Sequence, residues 1–369
     1  MLAAGASVGE ALSAGFAGPE RALEVSKTAA RAATGRRKAR LASRRRTQGM
    51  VAADTAAPSP HDDLSGAPQG VDSCRGMPRP EVDIVIVAYG SRDLLRACLA
   101  SLREHPPSGG ANVWVVDNDS RDGTAMMTRA EFPQVALIAS HTNLGFAAAT
   151  NLAIRLGTNP YVLALNPDTR VTAGAIDHVL DLLESNSSIG IAGCRLERED
   201  GTFDHAARRS FPTPLGALAH FTGIGRHPRA PRLLAQYRAP WVESGPVDAV
   251  NGAFMLIRRR ALAEVGLFDE GYWMYMEDLD LCYRFSEAGW ITWYDAGATV
   301  HHVKAGSSGK YRKPRLNYAF HYGMLRFYRK HYASSRNPVF NLVVYFGIGV
   351  KLVVSLVTSA MRRHVVSST

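Results

Sequence analysis

Four apolar stretches in the first half of the chain alternate with segments in which apolar residues recur at helical spacing. The stretches are residues 82–89, 113–116, 135–138 and 161–165. Their length and apolar character are typical of strands that are buried on both faces. Because strands that alternate with helices form parallel sheets with right-handed crossovers, we predict an α/β fold with a mostly parallel central sheet.

A polar side chain lies at the end of each of these predicted strands or shortly after it. These side chains are Tyr89, Asp117, Asn143 and Asp168. In an open α/β sheet, ligands bind in the crevice at the carboxyl ends of the strands. The sequence therefore predicts a ligand site at this edge of the sheet.

Residues 266–290 combine acids with large apolar side chains. Five acids fall within residues 269–280, and two tyrosines, one tryptophan and two methionines lie among them: the acids are Asp269, Glu270, Glu277, Asp278 and Asp280. Carboxylates among aromatic rings are expected to have perturbed pKa values, which suits a catalytic base or a metal site. The alternative is a helix N-terminus, in which acids favour the helix dipole and Asp280 pairs with Arg284.

Charge is distributed unevenly along the 369 residues, whose net charge is +10. Residues 301–369 contain 12 Lys or Arg and no acid, whereas residues 81–300 are mildly acidic. A basic end beside an apolar segment favours an anionic membrane surface as partner, rather than nucleic acid. Residues 1–80, rich in Ala, Gly, Pro and Arg, are predicted to form a disordered basic tail.

Four cysteines lie far apart and form no CxxC pair. Their spacing fits a reducing compartment and excludes a disulfide framework or a cysteine zinc site. The N-terminus lacks a long apolar run, so we expect no secretory signal there.

Residues 339–361 are apolar and long enough to span a bilayer, although Lys351 falls near their centre. Polar or small residues line up every four positions at Gly347, Lys351, Ser355 and Ser359. This stripe also fits an amphipathic helix that lies in the membrane plane, or a helix packed on the protein's own core. We therefore assign residues 336–369 to a membrane-associating helix, amphipathic or spanning, with a basic tail.

Seven short motifs occur in a fixed order along the chain. They are Val-Ala-Tyr-Gly (87–90), Val-Val-Asp-Asn-Asp-Ser-Arg-Asp-Gly-Thr (115–124), Asn-Leu-Gly-Phe-Ala-Ala-Ala-Thr-Asn (143–151), Leu-Asn-Pro-Asp (165–168), Gly-Ala-Phe-Met-Leu-Ile-Arg-Arg (252–259), the acidic segment 268–284, and His-His with Ser-Ser (301–308). Together they resemble the family 2 glycosyltransferases, which have the GT-A fold. The resemblance covers about residues 82–335, so we expect one GT-A domain over residues 81–335. It is nearest to bacterial rhamnosyltransferases that act on polyprenyl-diphosphate-linked N-acetylglucosamine.

This resemblance implies an inverting, metal-dependent enzyme of cell-envelope glycan synthesis. The expected donor is dTDP-rhamnose or a UDP-sugar, and the expected acceptor is a hydroxyl of a polyprenyl-diphosphate-linked molecule or a glycan. The place expected for the reaction is the cytoplasmic face of the cell membrane. The sequence leaves the sugar, the nucleotide base, the acceptor and the linkage open.

The donor site is expected to use residues of several strand ends. Tyr89 offers an aromatic face to the nucleotide base and Asp117 an acceptor for its imide N–H, whereas the alternatives are strand-end packing and a turn cap. Asn143, Gly145 and Asn151 are expected to line the sugar-nucleotide site, with a turn and a helix cap as the alternative.

The resemblance implies that Asp168 binds Mg²⁺ or Mn²⁺ as the last residue of an Asp-x-Asp-type motif. Asn166 stands where the family has the first acid, and it is expected to supply an oxygen directly or through water. His302 is the second expected ligand, and His301 would point the other way if this segment is a strand. Oxygen ligands of this kind suit either cation.

Asp278 matches the family's general base, and Glu277 is expected to orient the acceptor or the base. Inversion would be a direct displacement without a covalent enzyme intermediate. Two alternatives remain at this point. One is a nucleotidyltransferase, which residues 88–93 disfavour because they are poor in glycine. The other is a non-catalytic binding protein with a degenerate GT-A fold, which Asn166 favours.

Overall fold

The computed structural model describes residues 81–212, 243–303 and 314–367. The chain divides into two units, residues 1–73 and residues 74–369, and all the described residues belong to the second. The predicted tail 1–80 lies outside the described residues. The same holds for residues 214–221, for which the sequence also predicts a short helix, and for the lysines and arginines of residues 304–313.

Eleven strands and eight α-helices make up the described part of the chain. The strands are β1 (Val82–Ala88), β2 (Ala111–Asn118), β3 (Ala136–Ser140), β4 (Tyr161–Leu165), β5 (Thr169–Val171), β6 (Ile189–Glu197), β7 (Arg208–Arg209), β8 (Gly245–Pro246), β9 (Ala249–Val250), β10 (Phe254–Arg258) and β11 (Ile291–His302). The helices are α1 (Arg92–Glu104), α2 (Thr124–Glu131), α3 (Phe146–Leu156), α4 (Ala175–Ser185), α5 (Arg259–Val265), α6 (Glu277–Glu287), α7 (Pro314–His331) and α8 (Pro338–Ser367).

Nine strands form a mixed central sheet in the order β3-β2-β1-β4-β10-β6-β11-β5, with β8 paired to β11, and β7 pairs with β9 apart from it. Six of the nine strands, β1 to β4, β6 and β11, run in one direction, which confirms the α/β prediction. Strand β10 runs antiparallel between β4 and β6, so the sheet is less regular than the parallel crossovers predict.

The register brings the predicted strand ends to one edge of the sheet. Ala88 at the end of β1 pairs with Asp117, and Ile86 pairs with Leu165 at the end of β4. The residues that follow β1, β2 and β4 therefore lie side by side, as predicted.

The sequence also predicts one strand over residues 250–258 and two short strands at 291–294 and 298–302, and both predictions need correction. The stretch 250–258 is not one strand, because Asn251 accepts a hydrogen bond from the Ala253 N–H (2.9 Å) and turns the chain before β10. The stretches 291–294 and 298–302 are one strand, β11, whose register with β6 shifts between Asp295 and Thr299.

The short strand β5 was not predicted, and it determines where Asp168 lies. It pairs antiparallel with β11, so that His302 faces Thr169. The Val303 N–H then donates to the Asp168 carbonyl (2.9 Å). Three residues after a turn carry too little periodicity to identify a strand.

Asp83 is a fully buried carboxylate in the otherwise apolar strand β1. It accepts hydrogen bonds from Arg259 (2.5 Å) and from the backbone and side chain of Asn159 (3.0 and 3.1 Å). Gly157 is required beside it, since a Cβ there would lie 2.2 Å from the Asp83 Oδ2. This ion pair ties the α3–β4 loop and the start of α5 to β1.

Helix α8 packs against α7 on one face and exposes the other. Ser359 of the predicted polar stripe accepts a hydrogen bond from Asn317 of α7 (3.0 Å). The exposed face is apolar and includes Val343, Phe346, Val350 and Val353. Residues 338–359 have a mean hydropathy of 2.0 and are only 6% buried, so α8 is long and apolar enough to cross a membrane and is not a core helix.

We expect Asp83→Ala to destabilise the protein strongly, because it leaves the Arg259 guanidinium without its buried partner. Removing one member of a buried ion pair typically costs about 3–5 kcal/mol. The free energy of unfolding, from urea titration, measures the effect.

The control is Asp93→Ala, which removes an exposed carboxylate paired with Arg92 and Arg96. Water screens such exposed ion pairs, so we expect little change in the free energy of unfolding. Equal losses in the two variants would contradict a special role for the Asp83 ion pair.

Candidate active site

Tyr89 and Asp117 lie at the ends of adjacent strands, and their environments differ. The Tyr89 side chain is 54% exposed, whereas Asp117 is 4% exposed. Burial raises the pKa of the Asp117 carboxyl, although the Ser120 N–H donates to it at 3.2 Å. Ser120 also joins the two strand ends, since its hydroxyl accepts from the Gly90 N–H (2.9 Å). An open aromatic ring therefore stands next to a sheltered acceptor.

The loop 143–146 is braced from within. The Asn143 side-chain oxygen accepts from Asn118 (3.2 Å) and from the Gly145 N–H (3.0 Å). Asn118 in turn accepts from the Leu144 N–H (2.8 Å). These hydrogen bonds favour the interpretation in which the side-chain carbonyl of Asn143 stabilises a turn, rather than the one in which it contacts the donor. Asn118 was missed, because an Asp-Asn-Asp run gives no indication of which side chain points inward.

Gly145 joins this loop to the acidic segment. Its φ is +85°, and a Cβ there would lie 2.2 Å from the Trp273 carbonyl oxygen. The next residue, Phe146, donates its N–H to that same oxygen (2.8 Å). Glycine is needed because the two backbones touch, so this position serves packing between the two motifs.

Asn151, which is predicted to line the sugar-nucleotide site, is buried within α3. Its side-chain amide donates to the Phe268 carbonyl and to Glu270 (both 2.9 Å), and it accepts from the Phe268 N–H (3.1 Å). These bonds use both amide hydrogens. The side chain therefore anchors the acidic segment to α3.

Asp168 and His302, the two residues predicted to bind metal, lie together. The His302 Nε2 is 3.4 Å from the Asp168 Oδ1. His302 is buried and His301 is exposed, as the alternation of a strand requires. Burial opposes protonation of His302, but hydrogen bonds to Asp168 and Asp204 raise its pKa to about 9. Asp204 was not predicted.

Asn166 lies between the end of β4 and Asp168. Its N–H donates to the Ala253 carbonyl (3.0 Å), and its own carbonyl accepts from the Thr169 hydroxyl (2.7 Å). The backbone of the motif is thus held while the side chain stays half-buried. Within the described ranges, no cluster of three or more His, Cys, Asp or Glu side chains suits a metal ion.

Helix α6 begins after a strained turn. Tyr275 and Met276 have φ values of 71° and 73°, in the left-handed region that side chains other than glycine rarely adopt. Such conformations cost on the order of 1–3 kcal/mol each and concentrate at functional sites. This turn directs the first two helical residues, Glu277 and Asp278, inward, where both are buried.

Asp278 is surrounded by donors. Arg209 forms an ion pair with its Oδ2, which also accepts from the Gly252 N–H (3.2 Å), while Oδ1 accepts from the Leu279 N–H (2.8 Å). Arg209 also donates to the Val250 carbonyl (3.1 Å). It was missed because it lies in an irregular region rich in Arg, His and Pro.

Glu277 differs from its neighbour. Its Oε2 is buried without a hydrogen-bond partner among the described residues. Burial, and then the charge of Asp278, raise the pKa of Glu277 to about 8. The raised pKa favours the protonated form of Glu277 at neutral pH, and this form can donate a hydrogen bond.

The remaining acids of the segment are structural. Asp280 accepts from Arg284 (2.8 Å), which is the pairing predicted four residues apart on the helix. Asp269 pairs with Arg326 (2.8 Å) and Lys330 (2.6 Å) of α7. Glu270 pairs with Arg155 (2.7 Å) of α3. These pairs hold the segment between α3 and α7.

Residues 252–253 connect the two halves of the site. The Gly252 N–H donates to Asp278, and the Ala253 carbonyl accepts from the Asn166 N–H. A Cβ at Gly252 would make only ordinary contacts at 3.7–3.8 Å. The acids of α6 and the Asn166–Asp168 turn thus flank one short backbone segment.

The site combines three features on an α/β sheet. An aromatic ring and a carboxylate lie at adjacent strand ends, an aspartate and a histidine form a pair, and two acids point inward from the start of a helix. A family model described as glycosyl transferase family 2 matches residues 83–266 of this chain. The chain belongs to this family and is a glycosyltransferase. The GT-A fold implied by the motifs is therefore confirmed.

Two curated relatives match most of the domain. The N-acetylglucosaminyl-diphospho-decaprenol L-rhamnosyltransferase of Mycobacterium tuberculosis is 35% identical over 255 residues, which is 65% of this chain and 80% of the relative. The rhamnosyltransferase WbbL of Escherichia coli K12 is 25% identical over 268 residues, which is 69% of this chain and 96% of the relative.

Among solved structures, the mannosyltransferase PcManGT from Pyrobaculum calidifontis, in complex with GDP-Man and Mn²⁺, gives a TM-score of 0.48. Its sequence is 17% identical, and the match covers 79% of this chain and 76% of that one.

We expect Glu277→Gln to change how stability depends on pH. The folded-state pKa of Glu277 is raised from 4.5 to about 8, so its contribution to stability is complete below pH 4.5 and is lost as pH rises towards 8. A glutamine avoids this loss. The gain in melting temperature over the wild type should therefore be larger at about pH 9 than at about pH 6, measured by calorimetry.

Glu270→Gln is the control, because hydrogen bonds from Asn151 and Arg155 lower the pKa of Glu270. Its contribution changes only in acid, below the pH range of the comparison. A pH-independent difference between Glu277→Gln and the wild type would show that Glu277 is ionised throughout.

Proposed function

We propose that this protein transfers a sugar, with inversion, from a nucleotide-sugar to a hydroxyl of a polyprenyl-diphosphate-linked acceptor. The observation that best supports this proposal is that Asp278 and the Asn166–Asp168 turn both bind to the backbone of residues 252–253. Similarity to the mycobacterial L-rhamnosyltransferase supports L-rhamnose as the sugar and dTDP-rhamnose as the donor.

Asp168 and His302 would hold a divalent cation, Mg²⁺ or Mn²⁺. Their facing atoms are 3.4 Å apart. Two ligands about 2.1 Å from a shared ion lie roughly 3 Å apart at a right angle, so the pair fits one coordination sphere with a small adjustment. Two protein ligands suffice where substrate phosphates complete the sphere. The cation would neutralise charge that grows on the leaving diphosphate.

Asp278 is the proposed general base. Its carboxylate would accept the proton of the acceptor hydroxyl while the new C–O bond forms at the anomeric carbon. The bond from that carbon to the diphosphate oxygen breaks at the same time, and the nucleoside diphosphate leaves with the electron pair. Arg209 and the Gly252 N–H, which both contact Oδ2, keep the carboxylate oriented.

Glu277 would orient the acceptor by donating a hydrogen bond. Its raised pKa and its Oε2, which has no partner among the described residues, support a donor at neutral pH. The pair thus divides the work between a neutral donor and a charged acceptor, as two carboxyl groups in different environments do in other enzymes.

The donor nucleotide would bind at the strand ends. The exposed ring of Tyr89 would stack on the base, and Asp117 would accept its imide N–H. Asn166 is proposed to contact the donor directly or through water, and the loop of Asn143 and Gly145 to form the wall nearest Trp273.

We assign residues 81–335 to the catalytic domain and α8 to association with the cytoplasmic face of the cell membrane. Ser359 of the polar stripe accepts a hydrogen bond from Asn317 of α7, and the exposed face of α8 is apolar, which supports a helix that lies along the bilayer surface. Residues 301–369 contain no acid, and this favours anionic lipids.

We expect Asp278→Asn to lower the turnover of sugar transfer by about 10²–10⁴-fold, because it removes the proton acceptor. Binding of the donor should persist, since the strand-end residues are unchanged. Transfer from dTDP-rhamnose to a polyprenyl-diphospho-N-acetylglucosamine, with calorimetric donor binding, measures both.

Glu287→Gln, an exposed change at the end of the same helix, is the control and should retain turnover. Unchanged turnover in Asp278→Asn would exclude this residue as the base. A wild-type protein that binds the donor and yet neither transfers nor hydrolyses it with Mn²⁺ would favour a non-catalytic binding protein, the alternative that Asn166 supports.

We expect the wild type to float with vesicles of phosphatidylglycerol and phosphatidylcholine, and Val353→Glu to float less. The variant puts a charge on the apolar face that would enter the lipid. Density-gradient flotation measures the bound fraction.

Leu156→Glu, an equally exposed apolar position at the end of α3, is the matched control and should float as the wild type does. Flotation of Val353→Glu at the wild-type level would refute insertion of this face.

A further inference from the structure

We infer that Asp204 is a positioning residue, which fixes the orientation of His302 for cation binding. The Asp204 Oδ2 is 3.4 Å from the His302 Nδ1, on the side of the ring opposite to Asp168. The imidazole thus lies between two carboxylates, and its two nitrogens face different partners. The inference rests on the proposed cation site of Asp168 and His302.

Asp204 is itself held in one orientation. It is fully buried, and its Oδ1 accepts from the Ala206 N–H (3.1 Å). Its backbone N–H donates to the Leu196 carbonyl (2.8 Å), and its carbonyl accepts from the Ala207 N–H (2.9 Å). Arg198 lies 3.6 Å from Oδ1 and balances the charge. The carboxylate can therefore orient the ring without moving towards it.

The position of Asp204 determines which of the two ring nitrogens of His302 carries the proton. With the proton of the neutral ring on Nδ1, hydrogen-bonded to Asp204, the lone pair of Nε2 points towards Asp168 and the space that the two share. A carboxylate that accepts from the distal nitrogen of a metal-binding histidine also makes the ring a better ligand. Losing such a partner typically weakens metal affinity about 10–100-fold.

Residues 204–209 connect this pair to the acids of α6. Asp204 begins the short 3₁₀-helix His205–Ala207, whose last carbonyl accepts from the Asn251 N–H (3.2 Å). Arg209, two residues beyond it, pairs with Asp278. One segment thus supports both His302 and the proposed base, so the position of Asp204 is set by the same backbone that orients the acids.

Asp204→Asn tests the role with almost no change of shape. Titration of Mn²⁺ in the presence of dTDP, followed by electron paramagnetic resonance, should give an affinity about 10–100-fold weaker than in the wild type. Nitrogen-15 spectra of the metal-free protein, with His302 neutral, should show the proton on Nδ1 in the wild type and a shift towards Nε2 in the variant.

Asp200→Asn, an exposed carboxylate in the same loop, is the control and should match the wild type in both measurements. Affinity within roughly twofold of wild type, or a weaker affinity with an unchanged His302 tautomer, would overturn the positioning role. If the wild type binds no Mn²⁺, the proposed cation site fails, and the tautomer alone then decides whether Asp204 orients the ring.

Discussion

The arrangement of the site depends on one buried carboxylate, Asp280, and on the cations around it. Arg284, Lys330 and His331 each lie 2.8 Å from its oxygens, and the Tyr272 hydroxyl lies at 3.2 Å. Burial opposes the charge, but the hydrogen bonds from His331 and Lys330 lower the pKa of Asp280. Because Lys330 and His331 belong to α7, this charge network fixes α6 against α7. The first turn of α6 is thereby held towards residues 252–253, beside the end of β4.

Neighbouring acids on this one helix consequently have opposite properties. Glu277 lies three residues before Asp280, and its Oε2 has no hydrogen-bond partner among the described residues; burial raises its pKa to about 8. The difference arises from what each side chain meets, since both are buried carboxylates. The contact of Gly145 with the Trp273 carbonyl holds the segment before α6 against the loop after β3. The hydrogen bond from the Asn166 N–H to the Ala253 carbonyl holds residues 252–253 against the end of β4.

The strands up to β4 and their polar ends were predictable, because buried parallel strands are short apolar runs and their order along the chain implies crossovers. The pairing of Asp280 with Arg284 was predictable because it is local. The hydrogen-bond partners of Asn151 were not predictable, because Phe268 and Glu270 are more than a hundred residues away along the chain. Asp204 and Arg209 went unnoticed because an irregular segment offers no periodicity to orient side chains.

By itself the sequence determined the α/β class, the family and the edge of the sheet at which the polar strand ends lie. Periodicity and local motifs carry this information, and they need no knowledge of distant contacts. Only the tertiary structure decided which carboxyl group has the raised pKa, that His302 lies 3.4 Å from Asp168, and that Ser359 of α8 bonds to α7. The reason is physical: protonation and orientation depend on burial and on partners from remote segments, which the fold alone brings together.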